Sequence, residues 1–330
     1  MFTINFSKIV LLNNLDNYNL ESTLNKGLIT KTTGSWHTVS DGNKKIKCQI
    51  KGKFRIKDIK TTNPVAVGDM VTYEIPENSD TGIITKIHER KNYIIRRATR
   101  FHKEAHLLAC NVDQALLIIT LKNPVTKAEF IDRFLISCEA YHIPVILIIN
   151  KIDLLDNEKE TLNDFIYNYE LAGYKCIQTS VKNNFNIDIV KSLIKNKLSL
   201  IAGNSGVGKS SILNAMNTSL NINVGNLSDY YKTGKHTTTY YELYEIEPKS
   251  YIIDSPGIKA YGIIDIEKNE LGLLFPEIFR YSDECKYYNC THIHEPDCGV
   301  IKAVEQGKIS LSRYENYVNI YLEEGSKYRN

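Results

Sequence analysis

Apolar and polar positions change rhythm twice along the chain. From Gly27 onward, short apolar or alternating stretches run from His37 to Val39, Ile46 to Ile50, Val71 to Ile75 and Gly82 to His88. Turn signals divide them at Asp41-Gly42, Asn63-Pro64, Gly68-Asp69 and Asn78 to Gly82. Four or five short strands separated in this way predict a small barrel of the OB type, whose open face suits oligonucleotides. The first thirty residues show no periodic pattern. Arg90, Lys91, Arg96, Arg97, Arg100 and Lys103 then form a basic connector.

From Gln114 the rhythm becomes that of an α/β protein. Strand-like runs at Gln114 to Leu121, Pro144 to Ile149, Tyr174 to Gln178 and Leu198 to Ala202 alternate with helical spacing over 127–141, 157–171 and 187–194. A further helix starts at Ser210. This alternation predicts a parallel sheet covered by helices. Tyr240 to Ile246 and Tyr251 to Ile253 read as additional strands, and Ser310 to Glu324 as a terminal helix. The expected division is 1–103 (barrel with N-terminal extension and connector), 104–274 (α/β unit) and 275–330 (a mainly helical C-terminal unit).

Composition narrows the picture without changing it. The 330 residues are 42% hydrophobic and 24% charged, an ordinary globular balance that excludes a disordered chain. No apolar run is long enough to span a bilayer, and the N-terminus lacks a secretory pattern. A cytoplasmic protein with no membrane partner is expected. The net charge of +3 is unevenly spread: residues 31–100 hold 15 Lys or Arg against 7 Asp or Glu. That surplus of eight predicts a polyanionic partner for the barrel.

Of seven cysteines, Cys48, Cys110, Cys138 and Cys176 stand alone in apolar surroundings and read as core residues. The other three belong to Cys285-x4-Cys290-x-His292-x5-Cys298, whose three thiolates and one imidazole suit tetrahedral zinc. His294 competes with His292 for the fourth position.

The chemistry concentrates in four motifs. Gly203, Asn204, Ser205, Gly206, Val207, Gly208, Lys209, Ser210 and Ser211 form a phosphate loop between a predicted strand and a predicted helix. Its backbone N–H groups can cradle a β-phosphate, Lys209 can reach the β- and γ-oxygens, and Ser210 can ligate Mg²⁺. Asn150, Lys151, Ile152 and Asp153 follow another strand. A carboxylate at Asp153 can accept N1–H and the exocyclic amine of guanine, a pair that adenine does not offer. Ser180 and Val181, after the next strand, suit the loop that supports the base. Asp254-Ser255-Pro256-Gly257 would bring a carboxylate to Mg²⁺ and the Gly257 N–H to a γ-phosphate. In His236-Thr237-Thr238-Thr239 one threonine, taken as Thr238, can complete the Mg²⁺ ligands.

The order of these motifs is informative. The base motif precedes the phosphate loop, and the two switch segments come last. Each still follows a strand, so one sheet can gather them all at its C-terminal edge. The chain is read as a circularly permuted GTPase.

With those residues in view, the sequence resembles the small ribosomal subunit biogenesis GTPase A family from about Gly34 to about Leu322. The motifs that carry the resemblance are Asn111-Val-Asp-Gln, Asn150-Lys-Ile-Asp, the phosphate loop, Gly234-Lys-His-Thr-Thr-Thr, Asp254-Ser-Pro-Gly, Phe275-Pro-Glu, the cysteine cluster and Arg313-Tyr-Glu-Asn-Tyr. The resemblance implies an OB domain, a permuted GTPase domain and a C-terminal zinc domain holding one structural Zn²⁺ through His292. It implies a monomer that takes GTP or GDP with Mg²⁺ and binds the small ribosomal subunit and its rRNA, with release tied to hydrolysis. It also makes His236 a candidate for positioning water. Ile258 stands where many GTPases carry a water-orienting Gln, so turnover by the chain alone is expected to be slow. The sequence also admits two other readings: an rRNA-binding protein whose nucleotide is only structural, and an ATP-using kinase, against which Asp153 argues.

Overall fold

The computed structural model describes residues 24–50, 64–97, 105–217, 243–254 and 268–326. Strands β1 (Asn25–Thr33), β2 (Trp36–Ser40), β3 (Lys45–Ile50), β4 (Met70–Glu74) and β5 (Thr81–Ile87) close into a barrel in the order β1-β2-β3-β5-β4. Only β3 and β5 pair in parallel. Inward positions alternate with outward ones, as a half-buried strand requires. Ile29, Val39, Cys48, Val71, Tyr73 and Ile84 are completely buried in its interior. This is the expected barrel. Its first strand begins within the stretch that shows no pattern in the sequence.

The basic connector is in part a hairpin. Strand β6 (Tyr93–Arg97) pairs antiparallel with β7 (Ala105–Cys110), and the expected division near residue 103 falls between the two. The basic connector expected over residues 90–103 thus includes a strand that the sequence reading does not predict. Ile94 is buried and packs into the core of the following sheet.

That sheet has the order β10-β9-β8-β11-β13-β12. Its strands are β8 (Gln114–Ile119), β9 (Val145–Ile149), β10 (Lys175–Gln178), β11 (Leu198–Ala202), β12 (Leu243–Glu247) and β13 (Ser250–Asp254). All neighbours run parallel except the edge pair β12 and β13. Every residue of β8 and of β11 is buried, the pattern of central strands covered on both faces. Helices α1 (Ala128–Ala140) and α2 (Lys159–Ala172) pack on one face. Helices α3 (Ile187–Leu193) and α4 (Lys209–Met216) pack on the other.

The Asn111-Val112-Asp113-Gln114 motif fastens the N-terminal edge of this sheet. Asn111 Nδ2 donates to Gly68 O of the barrel at 2.9 Å, and Asp113 Oδ2 accepts from Leu198 N at 2.7 Å. Gln114 Nε2 donates to Leu193 O at 2.8 Å. The motif therefore lies at the end of the sheet opposite the phosphate loop, and its role is to join barrel and sheet.

The C-terminal unit is helical: a 3-10 turn (Lys268–Leu274), α5 (Pro276–Ser282), α6 (Gly299–Glu305) and α7 (Leu311–Ser326). Its core contains Leu271, Phe275, Ile278, Val300, Tyr317 and Ile320 together with Ile136 from α1. Arg313 on α7 is buried between two carboxylates. Its Nε donates to Glu277 Oε1 at 2.7 Å and its Nη1 to Asp132 Oδ1 of α1. No helix among the described residues is long and apolar enough to cross a membrane.

Candidate functional site

Five parallel strands end at one edge of the sheet, and the motif loops leave from those ends. The Asn150 motif follows β9, Ser180 and Val181 follow β10, and the phosphate loop follows β11. Asp254 closes β13, in register with Ile201 of β11. The permuted order along the chain is thus reassembled in space, because adjacency at a sheet edge depends on strand position and not on sequence order.

The phosphate loop turns through Gly203 (φ 142°), Gly206 (φ 82°) and Gly208 (φ 98°), conformations that glycine alone enters without strain. Two of them are also sterically committed. A Cβ at Gly203 would lie 2.2 Å from Ile118 O, and one at Gly208 would lie 2.4 Å from Asn150 Nδ2. Lys209 Nζ donates to the carbonyls of Gly203 and Asn204 at 2.8 and 2.9 Å, so its charge sits over the loop. Helix α4 starts at Lys209 and directs its positive end at the same space. Ser210, in its first turn, is almost fully buried.

The base motif is tied directly to this loop. Asn150, buried, donates from Nδ2 to Val207 O at 2.8 Å and accepts on Oδ1 from Thr179 Oγ1 at 3.2 Å. Lys151 has φ 62°, a left-handed turn that breaks the strand and starts a short 3-10 segment, Ile152–Leu154. Ser180 Oγ donates to Asp153 Oδ1 at 2.5 Å and fixes the carboxylate, leaving Oδ2 for a second pair of donors. Asn150, Asp153, Ser180 and the phosphate loop, spread over sixty residues of chain, therefore form one continuous hydrogen-bonded cluster. His236, Thr238 and Gly257 lie outside the described residues, as do Ser255 and Ile258.

The sequence motifs do not include one loop at this edge. Residues 120–126, after β8, approach both halves of the cluster: Asn123 O accepts from Lys151 Nζ at 2.6 Å, and Pro124 packs beside Gly206. The one local signal is position, between a strand and a helix whose neighbours carry the motifs.

A second cluster stands in the C-terminal unit. Cys285 Sγ is 3.7 Å from Cys298 Sγ and 3.5 Å from His292 Nδ1, and Cys298 Sγ is 3.6 Å from the same nitrogen. Cys290 completes a set whose donor atoms all lie within 4.8 Å of one another, a set that can hold a metal ion. A tetrahedral ion with about 2.3 Å to sulfur and about 2.0 Å to nitrogen needs edges of about 3.8 Å (S···S) and about 3.5 Å (S···N). The donor set fits. Burial pushes the Cys290 thiol up to about 12, which disfavours a thiolate there unless a cation accompanies it. The donor set contains His292 and not His294, which is exposed and donates its backbone N–H to Glu295 Oε2 at 3.3 Å.

Glu295 shapes the loop that presents His292. It accepts from Thr291 N at 2.8 Å, Thr291 Oγ1 at 2.5 Å and Ile293 N at 3.2 Å. Burial opposes its charge, yet these donors hold its carboxyl well below the usual range. Tyr314 and Tyr317 of α7 donate to His292 O and Thr291 O at 2.7 and 2.8 Å. Nothing in the sequence marks Glu295, whereas both tyrosines belong to the Arg313-Tyr-Glu-Asn-Tyr motif, whose part in holding this loop the sequence does not disclose.

Comparison with known proteins agrees with this geometry. Residues 87–264 match the family model of the RsgA GTPase, and residues 26–84 that of the RsgA N-terminal domain. The chain is 47% identical over 309 residues to a protein of Flavobacterium johnsoniae named small ribosomal subunit biogenesis GTPase RsgA, covering 92% of this chain and 94% of that one. A protein of the same name from Phocaeicola vulgatus is 48% identical over 307 residues, covering 92% and 99%. Among solved structures, YjeQ from Thermotoga maritima superposes with a TM-score of 0.74 at 34% identity, covering 91% of this chain and 98% of that one. YloQ, a circularly permuted GTPase, superposes at 0.73 with 30% identity, covering 96% and 100%. The two family models together span most of residues 26–264, and these relatives align with more than nine-tenths of the chain, so the chain belongs to the RsgA GTPase family.

Proposed function

We propose that this chain is a cytoplasmic, monomeric GTPase that binds the maturing small ribosomal subunit through its rRNA in the GTP state and leaves when the nucleotide is hydrolysed. The observation that carries the nucleotide half is the bond from Asn150 to Val207 O, which locks a guanine-reading motif onto a phosphate loop across the sheet edge. The names of the relatives support the ribosomal half.

In this reading Asp153 accepts the guanine N1–H and amine, Asn150 meets the ring edge, and the stem of Lys151 covers its face. Ile152, Ser180 and Val181 shape the base pocket. The backbone of Gly203, Asn204, Ser205, Gly206, Val207 and Gly208, with Lys209 and Ser211, holds the phosphates. Ser210, Thr238 and Asp254 would hold Mg²⁺, which supplies charge neutralisation at the β- and γ-oxygens. The Gly257 N–H senses the γ-phosphate, and His236 orients the attacking water. Ile258 offers that water no hydrogen bond, so the bound subunit completes the site and raises turnover. Cys285, Cys290, His292 and Cys298 would hold one zinc ion whose role is to staple a loop with little core of its own. In this reading residues 1–103 carry the RNA-binding barrel and connector, 104–274 the GTPase domain and 275–330 the zinc unit, with the β6–β7 hairpin bridging the first boundary and the 3-10 turn Lys268–Leu274 leading across the second. The barrel and its basic connector supply the electrostatic contact with rRNA, so binding weakens steeply as salt rises.

The test is GTP turnover measured alone, with small ribosomal subunits, and with large subunits as control. Stimulation by small subunits alone supports the proposal. Unchanged turnover in their presence overturns it.

A further inference from the structure

The loop between β8 and α1 is closed on itself. Thr126 N donates to Thr120 O at 2.8 Å, Thr126 Oγ1 accepts from Thr120 N at 3.1 Å, and Thr120 Oγ1 donates to Pro124 O at 2.5 Å. Both threonines are buried, at 0% and 4% exposure. Between them the exposed tip, Asn123-Pro124, is pushed out toward the sheet edge. Its two contacts fall on the two halves of the nucleotide site: Asn123 O on the Lys151 ammonium at 2.6 Å, and Pro124 beside Gly206, where an added Cβ would meet the ring at 3.4 Å.

We infer that this clasp is a positioning element for the guanine nucleotide, with Thr120 and Thr126 as its positioning residues. The inference rests on the reading of Asn150 to Asp153 as the base site. Its physical basis is that Lys151 has a long, flexible stem which covers a ring face well only if its head is anchored. The anchor is a backbone carbonyl whose place is set by two buried hydroxyls. Pro124, held by the same hydroxyls, keeps Gly206 at its distance from the base motif. The clasp thus acts on the separation between ring and phosphates without touching either.

The test uses the full zinc-loaded chain and GDP binding by calorimetry. Thr126→Val keeps the side-chain shape and leaves Thr120 N–H without its acceptor. An affinity loss of about tenfold is expected, the worth of one buried hydrogen bond. Thr126→Ser restores the acceptor and stays within about twofold of the parent on the same scale. Thr120→Val, which removes only the bond to Pro124 O, loses affinity in the same direction and covers the case in which Thr126→Val does not fold. Because the clasp acts in part through Lys151, Thr126→Val costs less when added to Lys151→Met than when made alone. A purely structural role would give independent, additive effects. Parental affinity in both valine variants, or full additivity with Lys151→Met, overturns the inference while leaving the base site intact. A parent that binds no GDP overturns the base site and the clasp with it.

Discussion

Replacing Arg313 with methionine strands two carboxylates in the interior. Arg313, Asp132 and Glu277 are 2%, 0% and 1% exposed, and the guanidinium bridges the pair through different nitrogens. Asn316 Nδ2 donates to Asp132 Oδ2 at 2.6 Å and Tyr169 OH to Oδ1 at 3.1 Å, while the Phe275 ring lies 4.9 Å from the guanidinium carbon. These groups come from α1, α2, α5 and α7, so the network clamps the C-terminal helices onto the GTPase helices. Burial disfavours the Arg313 charge, but the two carboxylates overcome that and hold it protonated. Among the described residues, Glu277 Oε2 has no hydrogen-bond donor even with Arg313 in place. Removing one member of such a buried ionic group costs about 3–5 kcal/mol. With a urea m-value of about 2 kcal/mol/M, the unfolding midpoint falls by roughly 1.5–2.5 M. Arg313→Lys recovers only part of this, because an ammonium cannot reproduce the planar two-sided bridge. Replacing Arg313, Asp132 and Glu277 together with apolar residues of similar volume costs less than Arg313→Met alone. Urea unfolding followed by far-UV circular dichroism decides the matter. A loss below about 1 kcal/mol for Arg313→Met, or a triple variant as unstable as the single one, would refute the clamp.

Three further outcomes are expected. His37 is buried in the barrel with neither ring nitrogen hydrogen-bonded among the described residues, and burial lowers its pKa to about 4. The unfolded chain therefore binds the extra proton first, and stability is lost as pH falls from about 6.5 to about 4, by roughly 3 kcal/mol. His37→Leu should flatten this part of the profile, and an unchanged pH dependence would contradict the assignment. Chelation should release one zinc equivalent per chain and expose the tyrosines of α7 to fluorescence quenchers, with GDP binding largely retained; a chain that yields no metal by elemental analysis contradicts the cluster. Asp153→Asn should weaken GTP binding at least tenfold and favour a nucleotide whose ring bears a carbonyl in place of the amine, xanthosine triphosphate; a variant that still prefers GTP would displace Asp153 from the base site.

What was legible from sequence divides along physical lines. The central strands stand out because a strand covered on both faces is a short apolar run, as in Val145 to Ile149 and Leu198 to Ala202. The phosphate loop and the Asn150 motif stand out because their chemistry is carried by contiguous residues. Strand β1 was hidden because a register shift between Ile29 and Lys31 breaks its alternation, and β6 because Arg96 and Arg97 and a shift at Ile94/Ile95 disguise it as a charged connector. The Arg313 network was visible only in pieces: Glu277, Arg313 and Asn316 fall in motifs that carry the resemblance, but Asp132 lies 181 residues from Arg313, and no local pattern announces such a pair. The Thr120–Thr126 clasp has ordinary loop composition, and only its place beside Lys151 and Gly206 distinguishes it.

The central claim is that strands in permuted chain order build one pocket for a guanine nucleotide. Titration of the metal-loaded chain with GDP, GTP and ATP in the presence of Mg²⁺, read by calorimetry, tests it most directly. One-to-one binding of both guanine nucleotides, with no saturable heat from ATP and loss of the signal in Lys209→Ala, is the predicted result. Absence of GDP binding, or ATP binding as tight as GTP, would contradict it.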